Sequence, residues 1–293
     1  MLKTIGFIGL GVMGEPMCRN VALRSGCTVV AFDLSAAPLS RLAAHGVTAA
    51  ASAAAVMQAA DFVMLVLPGG PQLKAVCRGP SGLLAHARAG QTVVDHGTSP
   101  VDLTRTLATE FAALGVAYAD APIARTRQAA EAGTLSIMVG ADAATMARIT
   151  PILSCCADEV THCGPIGSGQ VVKLMNNMVL FQTVVALCEA LAIGTAAGVD
   201  GALLFNTLTK GSADSFALRN HGMKAVLPDS FPERAFSTEY ALKDLSYALD
   251  LAQQAGLVPK GAETARAYLM EAAAAGLGKA YWPAVSRVIR HAR

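Results

Sequence analysis

The chain has 293 residues, of which 53% are hydrophobic and 15% charged, with a formal net charge of +2 at pH 7. That length corresponds to about two domains at roughly 150 residues each, and that composition excludes a disordered chain. Basic residues scattered along a nearly neutral sequence supply neither a nucleic-acid glove nor a polybasic membrane patch. In chain order, short apolar runs alternate with alanine-rich helical stretches: Thr4 to Ile8, Thr28 to Phe32, Phe62 to Leu67, Thr92 to Asp95, Val116 to Asp120 and Ser136 to Val139. These runs are rich in Val, Ile or Phe, are closed by Gly, Asp or Pro, and are apolar on both faces. That pattern predicts an α/β domain whose parallel sheet is covered by helices on both sides, with right-handed crossovers.

The pattern changes at Gly164-Pro165-Ile166-Gly167-Ser168-Gly169, a turn-rich hinge. We therefore expect one domain over residues 1–163 and a second over 164–293. From Gln170 to about Ala197, apolar residues recur at helical spacing (Val171, Leu174, Met178, Phe181, Val185, Leu191). A helix of about 28 residues would run about 42 Å at 1.5 Å per residue, long enough to join two domains. The remainder reads as further helices, over Asp200 to Thr209, Ser215 to Met223, Thr238 to Ala255, Gly261 to Ala275 and Trp282 to Arg290, with no strand.

Other features narrow the setting. The run Met178 to Cys188 is interrupted by Gln182 and Thr183 and bounded by Lys173 and Glu189, too short to cross a bilayer, so no membrane association is expected. Met1, Leu2 and Lys3 lead straight into a strand-and-turn pattern without the apolar run of a secretory leader. The seven cysteines form no disulfide framework. Cys155, Cys156, His162 and Cys163 lack the CxxC spacing of a zinc site, so no metal is expected. Free thiols suit a reducing compartment, and a cytoplasmic location is expected. His96, His162 and His221 lack ligand spacing and read as structural or solvent-facing.

The first strand feeds Gly9-Leu10-Gly11-Val12-Met13-Gly14, a GxGxxG turn that opens a helix from Glu15 to Arg24. The first glycine permits the tight turn, and the second lets backbone approach a pyrophosphate. The third lets helix pack on strand, and the helix N-terminus faces the phosphates. Asp33 closes the second strand about 20 residues further on, where a carboxylate accepts hydrogen bonds from the adenosine ribose. That carboxylate would repel a 2′-phosphate, and no arginine follows it immediately, so NAD is favoured over NADP. Lys173 lies one turn into the long helix, with Asn177 on the same face at i+4. A lysine ammonium beside a bound carbonyl can donate a proton as hydride arrives; spacing alone also allows a solvated lysine near a helix start.

Several motifs together resemble the β-hydroxyacid dehydrogenase family. Gly6 to Met17 (GFIGLGVMGEPM) matches its opening signature, and Gly167 to Asn177 (GSGQVVKLMNN) is similar to its GxGxxxKxxxN segment. Leu67-Pro68, Asp95 to Pro100 (DHGTSP) and Lys243-Asp244-Leu245 match three further segments. The resemblance implies a Rossmann domain followed by an all-α domain, joined by a long interdomain helix, in a homodimer or homotetramer. It also implies cofactor contacts from Gly9, Leu10, Gly11, Val12, Met13, Gly14, Asp33, Leu67, Pro68, Thr98 and Lys243, catalysis by Lys173, and a substrate contact from Asn177.

One segment departs from the family. Its usual DAPVSGG is here Asp120-Ala121-Pro122-Ile123-Ala124-Arg125-Thr126, so Ala124 replaces a serine and Arg125 and Thr126 replace two glycines. Arg125 puts a fork of donors where the substrate's anionic group is expected. Pointing to solvent or pairing with Glu131 is the alternative for that side chain. The segment is similar to that of members acting on 3-sulfolactaldehyde, and also to that of 2-(hydroxymethyl)glutarate dehydrogenases. A small anionic substrate is expected, held by Ala124, Arg125, Thr126 and Asn177, with a 3-sulfolactaldehyde-like aldehyde first. Substrates of the 3-hydroxyisobutyrate, 2-(hydroxymethyl)glutarate, 4-hydroxybutyrate or tartronate semialdehyde type are the alternatives. A non-catalytic nicotinamide-binding protein or an imine reductase would not need the Lys173 and Asn177 pair.

Overall fold

The apolar runs of the first half assemble into one nine-stranded sheet. Its strands are β1 (Thr4–Ile8), β2 (Thr28–Phe32), β3 (Val47–Ala49), β4 (Phe62–Leu65), β5 (Thr92–Asp95), β6 (Ala117–Asp120), β7 (Ile123–Ala124), β8 (Leu135–Gly140) and β9 (Ala157–Gly164). They lie in the order β3-β2-β1-β4-β5-β6-β8-β7, with β9 on β8. The computed structural model describes residues 4–233 and 235–291. Helices α1 (Gly14–Arg24), α2 (Ala36–Ala43), α3 (Ala53–Ala59), α4 (Gly70–Cys77), α5 (Leu83–His86), α6 (Val101–Ala112), α7 (Arg127–Ala132) and α8 (Ala143–Leu153) connect them. Burial on both faces shows in β4: Phe62 and Met64 pack in one core layer, Val63 and Leu65 in the other. This is the physical reason that the strand reads as a continuous apolar run.

The sheet is not wholly parallel, which corrects the expectation. The strands from β3 to β6 pair in parallel, but β8 runs antiparallel to both β6 and β7. The chain passes from β7 to β8 through the six-residue α7, closed by Gly133 at φ 74°. A parallel crossover needs about a dozen residues or more, so this connection can only turn the chain back. Three strands lacked a signal in the sequence. β3 has three residues at the sheet edge and β7 only two, and β9 (ADEVTHCG) is largely exposed, without an apolar face.

The chain divides into two compact units, Met1–Lys173 and Leu174–Arg293. The division falls inside the long helix α9 (Ser168–Ala196). At 29 residues, α9 is the one helix among the described residues long and apolar enough to cross a membrane, well beyond the run from Met178 to Cys188. It buries Leu174, Phe181, Val184, Cys188 and Leu191 inside the protein.

The second unit continues with α10 (Gly201–Leu208), α11 (Thr238–Gln254), α12 (Lys260–Ala272) and α13 (Val285–His291). Its core holds Phe181, Phe205, Leu245, Leu269 and Trp282, with Phe181 and Trp282 edge-to-face at 4.9 Å. The side chains of Asp200 and Ser237 cap α10 and α11, accepting from the amides of Leu203 and Tyr240. The segment expected as an α-helix over Ser215 to Met223 is instead π-helical over Leu218–Val226. A second π-helical turn, Ala273–Leu277, ends the run expected as one helix, because Gly276 adopts φ 84° there. The described residues of this unit contain no strand, only an isolated bridge between Ser237 and Tyr281.

Candidate active site

The three glycines after β1 have separate tasks. A Cβ on Gly9 would strike the Val66 carbonyl, and Gly9 adopts φ 93°. A Cβ on Gly14 would strike the Gly9 carbonyl. Both are therefore required by the turn itself. A Cβ on Gly11 would meet nothing within 4 Å, and its φ is ordinary. Open space over bare backbone beside the uncapped N-terminus of α1 is what an approaching pyrophosphate needs. The Asp33 carboxylate accepts from the Leu10 amide at 2.6 Å and the Ser35 amide at 2.7 Å, tying the glycine turn to the end of β2. An ionised carboxylate offers about four acceptor positions, so two stay available for ribose hydroxyls. Arg41 on α2, the first arginine after Asp33, is already held bidentately by Glu15 at 2.6 and 2.7 Å. The hydrogen bond from Arg41 holds the Glu15 carboxyl below its usual range. The residues present fit a dinucleotide with a free 2′-hydroxyl.

The carboxyl ends of β5 and β6 meet the first turn of α9 within the first unit. Leu67 and Pro68 follow β4, and the Leu67 carbonyl lies where a Cβ on Gly97 would fall. After β5, buried Asp95 accepts from the Gly97 amide at 2.9 Å and the Ser99 hydroxyl at 3.1 Å. Thr98 sits half-buried between those residues. Asp120, at the end of β6, accepts from the amides of Gly167 at 2.7 Å and Gln170 at 2.8 Å, so a side chain from the sheet caps the long helix. Burial pushes its carboxyl up to about 6, against those amides, which pull it down. Lys173 is half-buried one turn later.

His96 is buried, its Nδ1 donates to the Ala121 carbonyl at 2.8 Å, and burial lowers its pKa to about 4. His162 bonds the Ala141 carbonyl at 2.8 Å, and His221 the Tyr281 hydroxyl at 2.6 Å. All three bond protein groups, and among the described residues no cluster of His, Cys, Asp and Glu could hold a metal ion. Cys155 and Cys156 are buried in a hydrophobic core layer.

The Ala124 to Thr126 segment leaves β7 for α7. Arg125 stands at φ 81°, a backbone region that favours glycine, which the family segment carries at this place. Its Nη1 donates to the Thr134 carbonyl at 2.6 Å and lies 3.6 Å from Asp158. Glu131 takes Arg127 instead, at 2.8 Å. Thr126 precedes the first residue of α7, and its side chain makes no capping bond to that helix.

In the second unit a buried carboxylate joins two expected site residues. Asp244, 2% exposed, accepts from Asn177 Nδ2 at 2.7 Å through one oxygen and pairs with Lys243 Nζ at 2.9 Å through the other. The Lys243 contact has the distance of an ion pair but not the angle of a hydrogen bond, and it leaves that oxygen short of an aligned donor. Lys243 also lies 5.4 Å from the ring centres of both Tyr240 and Tyr247. Asn176 Nδ2 donates to the side-chain Oδ1 of Asn177 at 3.0 Å. Sequence reasoning placed Asn177 and Lys243 and passed over Asp244, whose signal was its place beside Lys243 in the KDL segment.

A glycine turn with open space over bare backbone, a carboxylate with acceptor positions to spare at the end of β2 and a lysine near the start of a long helix are the features that a nicotinamide-dependent oxidoreductase requires. Comparison with known proteins specifies it. Residues 4–164 match the NAD-binding domain of 6-phosphogluconate dehydrogenase, and residues 167–289 match the NAD-binding domain of NADP-dependent 3-hydroxyisobutyrate dehydrogenase. The chain is 35% identical to a 2-(hydroxymethyl)glutarate dehydrogenase of Eubacterium barkeri, over 97% of this chain and 94% of that protein. It is 33% identical to an NAD-dependent L-serine dehydrogenase of Pseudomonas aeruginosa, over 87% and 85%. Among solved structures, Mycobacterium tuberculosis 3-hydroxyisobutyrate dehydrogenase with L-serine matches with a TM-score of 0.88 at 31% identity, over 99% of this chain and 100% of that one. The chain belongs to the β-hydroxyacid dehydrogenase family and is an NAD-dependent oxidoreductase acting on a CH–OH group.

Proposed function

We propose that this enzyme interconverts the primary alcohol and the aldehyde of a short chain with a strongly anionic end. A 3-sulfolactaldehyde-like substrate fits best, followed by one of the 2-(hydroxymethyl)glutarate type. NAD, when bound, takes or supplies the hydride at the terminal carbon. In reduction the Lys173 ammonium donates its proton to the carbonyl oxygen as negative charge develops there; in oxidation the neutral amine takes the hydroxyl proton. Asn177, held by Asp244, orients the substrate with the second hydrogen of its amide. Arg125 and Thr126, next to Ala124, clamp the anionic end, while Leu67, Pro68, Thr98 and Lys243 serve the cofactor.

The observation that carries the substrate class is the backbone of Arg125. A non-glycine residue at φ 81° costs about 1–3 kcal/mol and persists where its side chain has a task. One of its five N–H donors goes to Thr134, and Asp158 is exposed enough for solvent to screen the pair, so a bidentate face remains for an anion. A second reading, a small monocarboxylate such as L-serine or 3-hydroxyisobutyrate, is favoured by the engagement of Arg125 with Thr134 and Asp158 and by what the relatives are named for.

Initial rates separate the two. With NADH, 3-sulfolactaldehyde should give a higher kcat/KM than succinic, methylmalonate or tartronate semialdehyde; with NAD, L-serine and 3-hydroxyisobutyrate should be slow. A preference for the monocarboxylates removes the anion-clamp reading. Lys173→Ala should lower kcat by roughly 10²- to 10⁴-fold, and wild-type turnover in that variant refutes the proton-donor assignment.

A further inference from the structure

We propose that Gln170 is a positioning residue, whose side-chain amide fixes the Thr98 segment to the turn of α9 that carries Lys173. The proposal rests on the reading of Lys173 as proton donor. Gln170 is fully buried three residues before Lys173. Its Oε1 accepts from the Ser99 amide at 3.1 Å and its Nε2 donates to the Gly97 carbonyl at 2.8 Å. The two bonds flank Thr98, one on each side, as a neighbouring β-strand would. The Gln170 backbone amide is given to Asp120, and Asp95 holds Gly97 and Ser99 from the sheet side. One residue thus ties the helix start both to the end of β6 and to the loop after β5. A buried carboxamide is needed because acceptor and donor must sit side by side at this reach; asparagine is one methylene too short. If hydride and proton must arrive at neighbouring atoms of one substrate, sub-ångström drift between the Thr98 segment and the Lys173 turn should slow turnover more than it weakens binding.

Simple space-filling would also bury a glutamine, so the test uses a readout that packing does not move. Gln170→Met keeps the shape and loses both bonds. It should lower kcat by roughly 10- to 100-fold with the fastest substrate of the panel above. Its NADH dissociation constant should stay within about threefold, because the Gly9 to Gly14 turn and Asp33 are untouched. In Gln170→Glu the carboxylate still accepts from Ser99 but opposes the Gly97 carbonyl, whereas the protonated acid can donate to it. Burial and the neighbouring Asp95 and Asp120 carboxylates raise that introduced pKa. The kcat of Gln170→Glu relative to wild type should therefore rise about tenfold, one pKa unit of protonation, as pH falls from 8.5 to 6, while Gln170→Asn stays low throughout. Wild-type kcat in Gln170→Met, or a Gln170→Glu ratio that does not change with pH, overturns the proposal. Lys173→Ala, measured alongside, separates the two levels: full turnover there overturns the proton-donor reading, whereas loss there with wild-type kcat in Gln170→Met overturns the positioning role alone.

Discussion

Replacing Asp120 by asparagine should remove a pH dependence of stability whose sign is opposite to that of most carboxylates. Burial raises the folded-state carboxyl from 3.8 to about 6. Between those values the folded state holds a proton that the unfolded state has released. Stability contributed by this group is therefore fully present below about pH 4 and is lost as pH rises through 6. The gap of about two units is worth about 3 kcal/mol at 1.36 kcal/mol per unit, and about 2 kcal/mol of it falls between pH 4.5 and pH 7. Asparagine does not titrate. At any pH it also sets an amide donor against one of the Gly167 and Gln170 amides, a constant cost of about 1–3 kcal/mol. Urea unfolding of both proteins, followed by circular dichroism at pH 4.5, 5.5 and 7, isolates the titrating part, since every other carboxylate is shared. The stability difference, wild type minus variant, should grow by about 2 kcal/mol as pH falls from 7 to 4.5. A difference that is flat, or that shrinks in acid, would show that Asp120 is not a buried carboxylate ionising near 6.

Two glycine variants separate folding from binding. Gly11→Ala should leave the melting temperature unchanged and raise the NAD dissociation constant at least about tenfold, because its Cβ enters open space that the pyrophosphate needs. Gly14→Ala should instead destabilise the first unit, because its Cβ strikes the Gly9 carbonyl; equal stability in the two variants would refute the division of roles. Arg125→Gly relieves about 1–2 kcal/mol of left-handed strain, offset by the extra chain entropy of glycine and the lost pair with Asp158. Its stability should stay within about 1 kcal/mol of wild type while KM for 3-sulfolactaldehyde rises about tenfold or more with little change in kcat. An unchanged KM removes the clamp.

Much of the fold was legible because its causes are local. Strand and helix alternation, the glycine turn after β1 and the carboxylate ending β2 are each written within one apolar run or one turn, and Gly9 and Gly14 are required by backbone a few residues away or one strand over. The family motifs likewise singled out Lys173, Asn177 and Lys243 as candidates. Strands β3, β7 and β9 gave no such signal, because they are short or charged and carry no periodic apolar face. The reversal of β8 follows from the length of one connection and from Gly133, features that hydrophobic periodicity does not register.

What only tertiary structure decided is how the site residues are held. Gln170 meets Ser99 across 71 positions and Asn177 meets Asp244 across 67. Arg125 finds Thr134 and Asp158, where proximity in sequence pointed to Glu131. Amino-acid types and spacings set which groups can bond and which backbone shapes are open to them. The partner a buried polar group takes depends on which distant donors the packed layers bring within about 3 Å, and that is settled only when the whole unit has folded.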